Sequence, residues 1–220
     1  MATASAGEEN YVHSDLTGLC ELLPPPYGRR TPAAVPEGRG RRAAVLILLT
    51  LVAGDWDLLL IRRASRLPSH AGQMAFPGGT VDPDDNVREP GDMAKVALRE
   101  SCEEVGLAPE EATVVSVQPP EPVSGGTFVV SPVIAWRAAP VRWLVPFGPE
   151  VAAIHREPVA RLADPANRIL VRHPSGNTGP GFVVDGQMVW GFTASLVDRV
   201  LRGGGWALPW KPAGLPVEVV

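Results

Sequence analysis

Apolar residues concentrate in short segments of strand length along much of the chain. Residues 43–52 and 57–63 are nearly continuous apolar runs, which are typical of strands buried on both faces. The turn residues 53–56 join them. The predicted strands are 43–52, 57–63, 113–117, 127–136 and 181–184.

Two segments have the helical period instead. A stripe of small and apolar residues at spacings of three and four predicts a helix over about residues 93–105, with this stripe against the core. The stripe consists of Ala94, Leu98, Ser101, Cys102 and Val105. Asp92 stands where a helix N-cap is wanted, and Gly106 stands where a left-handed C-terminal cap is wanted.

The second helix is predicted over residues 193–202, before the run Gly203-Gly204-Gly205. Strands in mixed order with two main helices predict an α/β fold in which helices cover a mixed sheet. Residues 1–41, rich in Pro, Gly and Arg, are interpreted as a loosely ordered N-terminal arm with one short helix in 16–23. Residues 42–203 form the predicted domain and residues 204–220 a C-terminal tail.

Composition narrows the functional classes. The chain has 220 residues, 45% hydrophobic and 20% charged, which suits one globular domain. The net charge of −4 does not favour a nucleic-acid partner. The longest apolar run, 43–54, is too short to span a bilayer, and the first residues resemble neither a secretory nor a transit peptide. Two cysteines are too few for a disulfide framework, so we expect a cytoplasmic protein. We also expect no membrane partner, and a monomer or homodimer.

The chemistry-bearing pattern is a set of three acids on the first predicted helix. Glu100, Glu103 and Glu104 share one face at helical spacing. Like charges at these spacings each cost a helix a few tenths of a kcal/mol, which a bound divalent cation would offset. The alternative is a solvated acidic face without a ligand.

Two motifs resemble a known family. Residues 99–107, Arg-Glu-Ser-Cys-Glu-Glu-Val-Gly-Leu, resemble the latter half of the Nudix signature, and only Ser101 departs from the usual type. Residues 63–79 resemble the extra motif of the coenzyme A pyrophosphatase branch, with Pro68 where that motif usually has Arg. The resemblance implies a Nudix-like α/β/α sandwich with a mixed sheet.

The signature also departs from the family pattern, because its isolated Glu is missing. Counting forward from Gly79 gives Asp85, and counting back from Arg99 gives Gly91. The loop holds about six extra residues, placed between Asp84 and Asp92. The candidates for the missing acid are Asp84, Asp85 and Glu89.

The resemblance implies roles for the remaining residues. Glu100, Glu103 and Glu104 are the expected metal ligands, with Glu100, Glu104 and Arg99 as catalytic residues and Arg99 orienting a neighbouring carboxylate. Mg²⁺ is expected, with Mn²⁺ as an alternative, because these ions take oxygen ligands. Zinc is disfavoured, since no Cys or His pairs with these acids at a zinc-ligand spacing.

A general base and a substrate side complete the expected site. A loop acid downstream of the helix is expected as the base, and Glu150 is preferred to Glu157. The expected substrate contacts are Arg63, Arg66, His70, Gln73, Gly78 and Gly79. Residues 172–181 are predicted as a loop that borders the site.

Three functions remain open at this point. The resemblance implies Mg²⁺-dependent hydrolysis of the pyrophosphate of coenzyme A or acyl-coenzyme A, giving 3',5'-ADP and a 4'-phosphopantetheine. The second is a Nudix hydrolase of another nucleoside diphosphate derivative, such as ADP-ribose or a dinucleotide, which Pro68 and the long loop favour. The third is a Nudix-fold binding protein without turnover, which the missing Glu favours. The expected partner is a small-molecule nucleotide substrate.

Overall fold

The structure is a computed structural model that describes residues 16–20, 40–123, 126–138, 144–173 and 176–219. The predicted arm therefore lies largely outside the described residues. The described elements, in chain order, are β1 (Arg41–Val52), β2 (Asp55–Arg63), β3 (Met74–Ala75), β4 (Gly78–Thr80), α1 (Met93–Val105), β5 (Thr113–Val117), β6 (Glu121–Val123), β7 (Phe128–Ala138), β8 (Val151–Pro158), α2 (Val159–Ala163), β9 (Arg168–Arg172), β10 (Thr178–Val184), β11 (Gln187–Val189), α3 (Gly191–Gly203) and β12 (Val217–Glu218).

The larger sheet is mixed and places the two most apolar strands at its centre. Its strand order is β3-β2-β1-β7-β5, with β4 paired to β1, β6 to β7 and β8 to β2. Strands β1 and β7 are parallel, whereas β1 pairs antiparallel with both β2 and β4. The prediction that residues 43–52 and 57–63 are central strands is confirmed.

Strand β1 divides its side chains between two cores, since successive residues of a strand point to opposite faces. Leu46 and Leu48 belong to one apolar cluster together with Val96 of α1. Ile47 and Leu49 belong to the other, which α3 covers. The sheet is thus buried by helices on both faces, and the predicted α/β/α sandwich is confirmed.

A second sheet, of order β11-β10-β9-β12, lies in the latter part of the chain. Residues 172–181 were predicted as a loop, and that prediction is wrong for Arg172, which ends β9, and for residues 178–181, because β10 begins at Thr178 and pairs with β9. Beyond Gly203, Trp206 and Ala207 pack against the α3 cluster and Val217–Glu218 pairs with β9. Within the N-terminal region, Thr17–Leu19 forms one 3-10 turn. None of the helices described here is long and apolar enough to cross a membrane.

Helix α1 has the predicted bounds but a different buried face. Gly106 ends it in the left-handed conformation, with φ of 68°. The Asp92 side chain does not cap the helix backbone, because its Oδ2 accepts from the backbone N–H groups of Arg88 and Glu89 and its Oδ1 accepts from Lys95 Nζ. The predicted burial of Cys102 is wrong: Cys102 is exposed, whereas Glu104 is buried. The stripe is rotated by about one residue because Glu104 reaches inward to β4.

Candidate active site

The three acids of α1 lie against the short strand β4. Glu104 is only 7% exposed and its Oε2 accepts a hydrogen bond from the backbone N–H of Gly78 at 2.9 Å. A side chain at Gly78 would put its Cβ 2.2 Å from the carbonyl oxygen of Ala44, and its φ of 154° is unfavourable for other residues. The glycine therefore lets β4 lie close against β1, and its backbone N–H bonds the buried carboxylate.

The next glycine is shaped around Glu100. A Cβ at Gly79 would lie 2.4 Å from the carboxyl carbon and both carboxylate oxygens of Glu100. The Glu100 carboxylate thus occupies the space that a side chain at this position would fill. Gly79 thus makes room for Glu100, and Gly78 donates its N–H to Glu104.

Arg99 connects the acids to the loop after β4. Its Nε and Nη2 donate to the two carboxylate oxygens of Asp85 at 2.8 and 3.0 Å. Nη2 also donates to Glu100 Oε1 at 3.0 Å and to the carbonyl oxygen of Thr80 at 3.1 Å. Nη1 donates to Glu103 Oε1 at 3.3 Å. One guanidinium therefore orients three carboxylates, as expected for a planar donor fork.

Among the three candidates for the missing acid, only Asp85 reaches this cluster in the structure. Its side chain is 6% exposed and takes both hydrogen bonds from Arg99. Asp84 and Glu89 are exposed and neither has a bond to Arg99 among the described contacts. Counting forward from Gly79 thus leads to the acid that bonds Arg99, and the extra residues of the loop follow it.

Burial and neighbouring charges set the titration of these groups. Burial, followed by the nearby charges of Glu100 and Glu150, raises the pKa of Glu104 to about 7 against the opposing effects of the Gly78 N–H and of Arg63. Burial also raises the pKa of Glu100. The hydrogen bonds from Arg99 lower the pKa of Asp85. Burial thus outweighs the nearby positive charges at Glu100 and Glu104, whereas the hydrogen bonds from Arg99 outweigh burial at Asp85.

The donor set fits a hard divalent cation. All candidate ligands are carboxylate oxygens, which Mg²⁺ and Mn²⁺ prefer. Within the described part of the chain, no three His, Cys, Asp or Glu side chains already lie close enough together to hold a metal ion. Glu100 and Glu103 are bonded to Arg99 and Glu104 to Gly78, so a cation has to exchange for some of these contacts. The exposed side chain of Glu103 is the freest to turn.

The loop before β8 brings a further acid to the end of α1. The backbone N–H of Phe147 donates to the carbonyl oxygen of Glu104 at 2.8 Å, which satisfies a carbonyl that the helix end leaves open. Three residues later, Glu150 Oε2 lies 3.6 Å from Nη2 of Arg63, and the Glu150 side chain is 57% exposed. Glu150 therefore lies beside the acidic cluster with access to solvent.

Glu157, the other candidate base, is not at this site. It lies in β8 opposite Leu58, whereas the end of β8 near the site pairs with Arg63. Five residues along a strand separate these positions by roughly 16 Å. Glu157 is 3% exposed and contacts His155 Nδ1 at 3.6 Å. The structure favours Glu150 over Glu157.

The expected substrate residues lie in the segment that leads from β2 to β4. Nη2 of Arg66 donates to the carbonyl oxygen of Pro149 at 2.5 Å. His70 Nδ1 and Gln73 Oε1 are 2.9 Å apart in a turn where His70 has a φ of 56°. The backbone N–H of Arg63 donates to the carbonyl oxygen of Gln73 at 3.0 Å. The motif thus adjoins the acids, and its polar groups bond to one another and to the Glu150 loop.

Sequence reasoning missed two participants in the Arg99 cluster. Asp82 Oδ2 lies 3.7 Å from Arg99 Nη1, and the carbonyl of Thr80 accepts from Nη2. The run Asp82-Pro83-Asp84-Asp85 carried a usable signal, because an acid followed by Pro predicts a capped turn. In the structure Asp82 N–H donates to Asp85 Oδ2 at 2.7 Å within that turn. The Thr80 carbonyl had no sequence signal.

Several known proteins are similar to this chain. Residues 40–173 match the family model described as NUDIX domain. A Pectobacterium atrosepticum protein named uncharacterized Nudix hydrolase NudL is 40% identical over 129 residues, which cover 58% of this chain and 62% of that protein, a little under two thirds of its length. A Salmonella paratyphi B protein of the same name is 32% identical over 184 residues, covering 77% of this chain and 86% of that protein.

Among solved structures, a MutT/nudix family protein from Enterococcus faecalis superposes with a TM-score of 0.47 at 17% identity, covering 91% of this chain and 73% of that chain. The relatives' names support the prediction of a hydrolase. The family model covers more than half of the chain, and the Salmonella relative is aligned over most of its length. This chain therefore belongs to the Nudix family.

Proposed function

We propose that the protein hydrolyses the pyrophosphate linkage of coenzyme A or an acyl-coenzyme A, giving 3',5'-ADP and a 4'-phosphopantetheine or its acyl form. The observation that carries this proposal is the junction between the two motifs. The segment that resembles the coenzyme A motif runs directly into Gly78, whose N–H bonds Glu104, while Arg63 at its start reaches Glu150. The substrate-side motif and the acids thus form one continuous site.

A divalent cation fits the chemistry of this substrate. The oxygens of a pyrophosphate repel an attacking nucleophile, so the reaction needs charge neutralisation and an activated water. Mg²⁺, with Mn²⁺ as an alternative, supplies this electrostatic stabilisation when bound. Glu100, Glu103 and Glu104 would hold it, since they are the oxygen donors that α1 places beside β4.

The residues around these acids then have defined roles. Arg99 orients Glu100 and Glu103 and is itself fixed by Asp85. Glu150 accepts the proton of the attacking water, because its carboxylate is exposed to solvent beside the acids. Cleavage breaks one P–O bond of the bridge, and the water oxygen forms the new bond to phosphorus.

The substrate side is assigned to the turn after β2. Arg63, His70 and Gln73 offer cationic and hydrogen-bonding groups next to the cluster, and the guanidinium of Arg63 suits bidentate contact with phosphate oxygens. Gly78 and Gly79 act here through the acids, because Gly78 donates its N–H to Glu104 and the Glu100 carboxylate fills the space beside Gly79. The exposed Pro68 cannot supply the cation that the family motif has at that position.

The test is hydrolysis of a substrate panel by the purified protein, with products resolved by mass. Coenzyme A, acetyl-coenzyme A, ADP-ribose and NADH are each incubated with Mg²⁺, with Mn²⁺ and with EDTA. We expect 3',5'-ADP from the first two substrates, with no turnover in EDTA. Turnover of ADP-ribose or NADH alone would contradict the coenzyme A assignment and favour another nucleoside diphosphate derivative. Silence across the panel from folded protein would favour a binding role.

A further inference from the structure

We infer that Arg66 is a positioning residue that holds the Glu150 loop in place, instead of the phosphate ligand that the motif suggests. The inference rests on the proposed role of Glu150 as the base. The side chain of Glu150 is held less firmly than its backbone. Its side chain is 57% exposed, and the described contacts of its carboxylate comprise one approach to Arg63 Nη2 at 3.6 Å. Packing does not fix this carboxylate, so the backbone has to.

The backbone around Glu150 is attached at both ends. On the side of α1, the N–H of Phe147 bonds the Glu104 carbonyl at 2.8 Å. On the side of β8, the carbonyl of Glu150 accepts from the N–H of Ala64 at 2.8 Å. Between these two attachments lie Gly148, with a φ of 80°, and Pro149. Gly148 is the conformationally permissive point of the loop.

Arg66 acts at the position that the attachments leave open. Its Nη2 donates to the carbonyl oxygen of Pro149 at 2.5 Å, between the permissive Gly148 and Glu150. Proline has no N–H, so its carbonyl is the only backbone group through which this residue can be held by a hydrogen bond. The Arg66 side chain is exposed, and its charged guanidinium makes this bond stronger than one from a neutral donor at the same position. Loss of this contact frees the peptide on which Glu150 is carried.

The two roles of Arg66 predict different kinetics. A phosphate ligand contributes to substrate binding, so its loss raises KM. A residue that positions the base acts on the reacting geometry, where a 1 Å error costs about 100-fold. We therefore expect Arg66→Met to lower kcat for the best substrate by roughly 10- to 100-fold, with KM changed less than about twofold. Arg66→Lys should recover part of kcat because it retains one charged donor.

The matched control is Arg161→Met, which removes an exposed arginine paired with Asp185 and should leave both constants unchanged. A double-mutant cycle with Glu150→Gln separates the roles further. If Arg66 acts through Glu150, Arg66→Met lowers kcat no further in the Glu150→Gln background. A raised KM, or a loss that multiplies with that of Glu150→Gln, would overturn the inference.

Hydrogen exchange tests the same contact without turnover. Arg66→Met should speed exchange of the Ala64 amide, which bonds Glu150, relative to wild type and to Arg161→Met. Unchanged exchange in a folded variant would overturn the inference even if wild type hydrolysed every substrate. Wild-type silence across the panel, in contrast, would refute the proposed function while the exchange result still decides whether Arg66 holds the loop.

Discussion

Replacing Gly79 with alanine measures how tightly Glu100 must lie against β4. The added Cβ would stand 2.4 Å from the Glu100 carboxylate, whereas ordinary van der Waals contact begins near 3.4 Å. The carboxylate therefore has to retreat by about 1 Å, a displacement that costs about 100-fold in rate at a reacting site. This corresponds to about 2.7 kcal/mol of transition-state stabilisation. The backbone itself accepts alanine, because Gly79 is outside the left-handed region.

The assay is kcat against Mg²⁺ concentration for the best substrate, together with thermal unfolding. We expect Gly79→Ala to lose about 100-fold in kcat while its free energy of unfolding changes by less than about 1 kcal/mol, since the displaced group ends a flexible side chain. Gly91→Ala is the matched control, because a Cβ there meets nothing within 4 Å. Full activity of Gly79→Ala would refute the placement of Glu100 in the metal site.

Three further variants test the neighbouring groups. Glu104→Gln should lose Mg²⁺-dependent turnover by at least 100-fold, as removal of one electrostatic group does elsewhere, while the fold survives because the amide oxygen can still accept from Gly78; unchanged turnover in folded protein would remove Glu104 from the ligand set. Asp85→Asn should lower the free energy of unfolding by about 1 to 3 kcal/mol through the loss of charged hydrogen bonds from Arg99. Because folding lowers the pKa of Asp85, this contribution to stability is present above the ordinary pKa of 3.8 and fades as the pH falls below it. The difference in free energy of unfolding between wild type and Asp85→Asn should therefore shrink in acid, and a difference that stays constant would contradict the ion pair. Glu157→Gln should stabilise the protein at pH 7, because burial raises the pKa of Glu157 and the wild type loses stability as the pH rises from 4.5 through that raised value. Chemical denaturation should show no such gain below about pH 4.

The elements that the sequence predicts well are those whose own pattern decides their structure. Helix α1 has the predicted bounds because periodic burial and the Gly106 cap are local signals. Strands β1 and β2 are recognised because both faces are apolar. Strand β8 was missed, since Val151–Pro158 carries His, Arg and Glu and owes its conformation to pairing with β2. Pairing partners of that kind are distant in the chain and leave no local pattern.

The site divides in the same way. The three acids and Arg99 follow from helical spacing, and the pairing of Arg99 with carboxylates is found as predicted. The choice of Asp85 over Asp84 and Glu89 required coordinates, because neighbouring acids in a turn point in different directions. The contact of Arg66 with a backbone carbonyl was also beyond sequence reasoning, since a carbonyl carries no residue-specific signal. The expected metal and substrate contacts stay predictions.

The loop between β4 and α1 consists of two separately fastened turns. Asp85 closes the first on Asp82, and Asp92 closes the second on Arg88 and Glu89, with residues 86–87 between them. The first turn is bonded to Arg99 and the second leads into the helix. The described hydrogen bonds of Arg99 with the acids therefore do not involve the residues between the two turns. Insertions and deletions between the two turns are therefore compatible with an intact site. A search pattern with a fixed spacing between the glycine and the arginine would overlook proteins whose loop differs in length there.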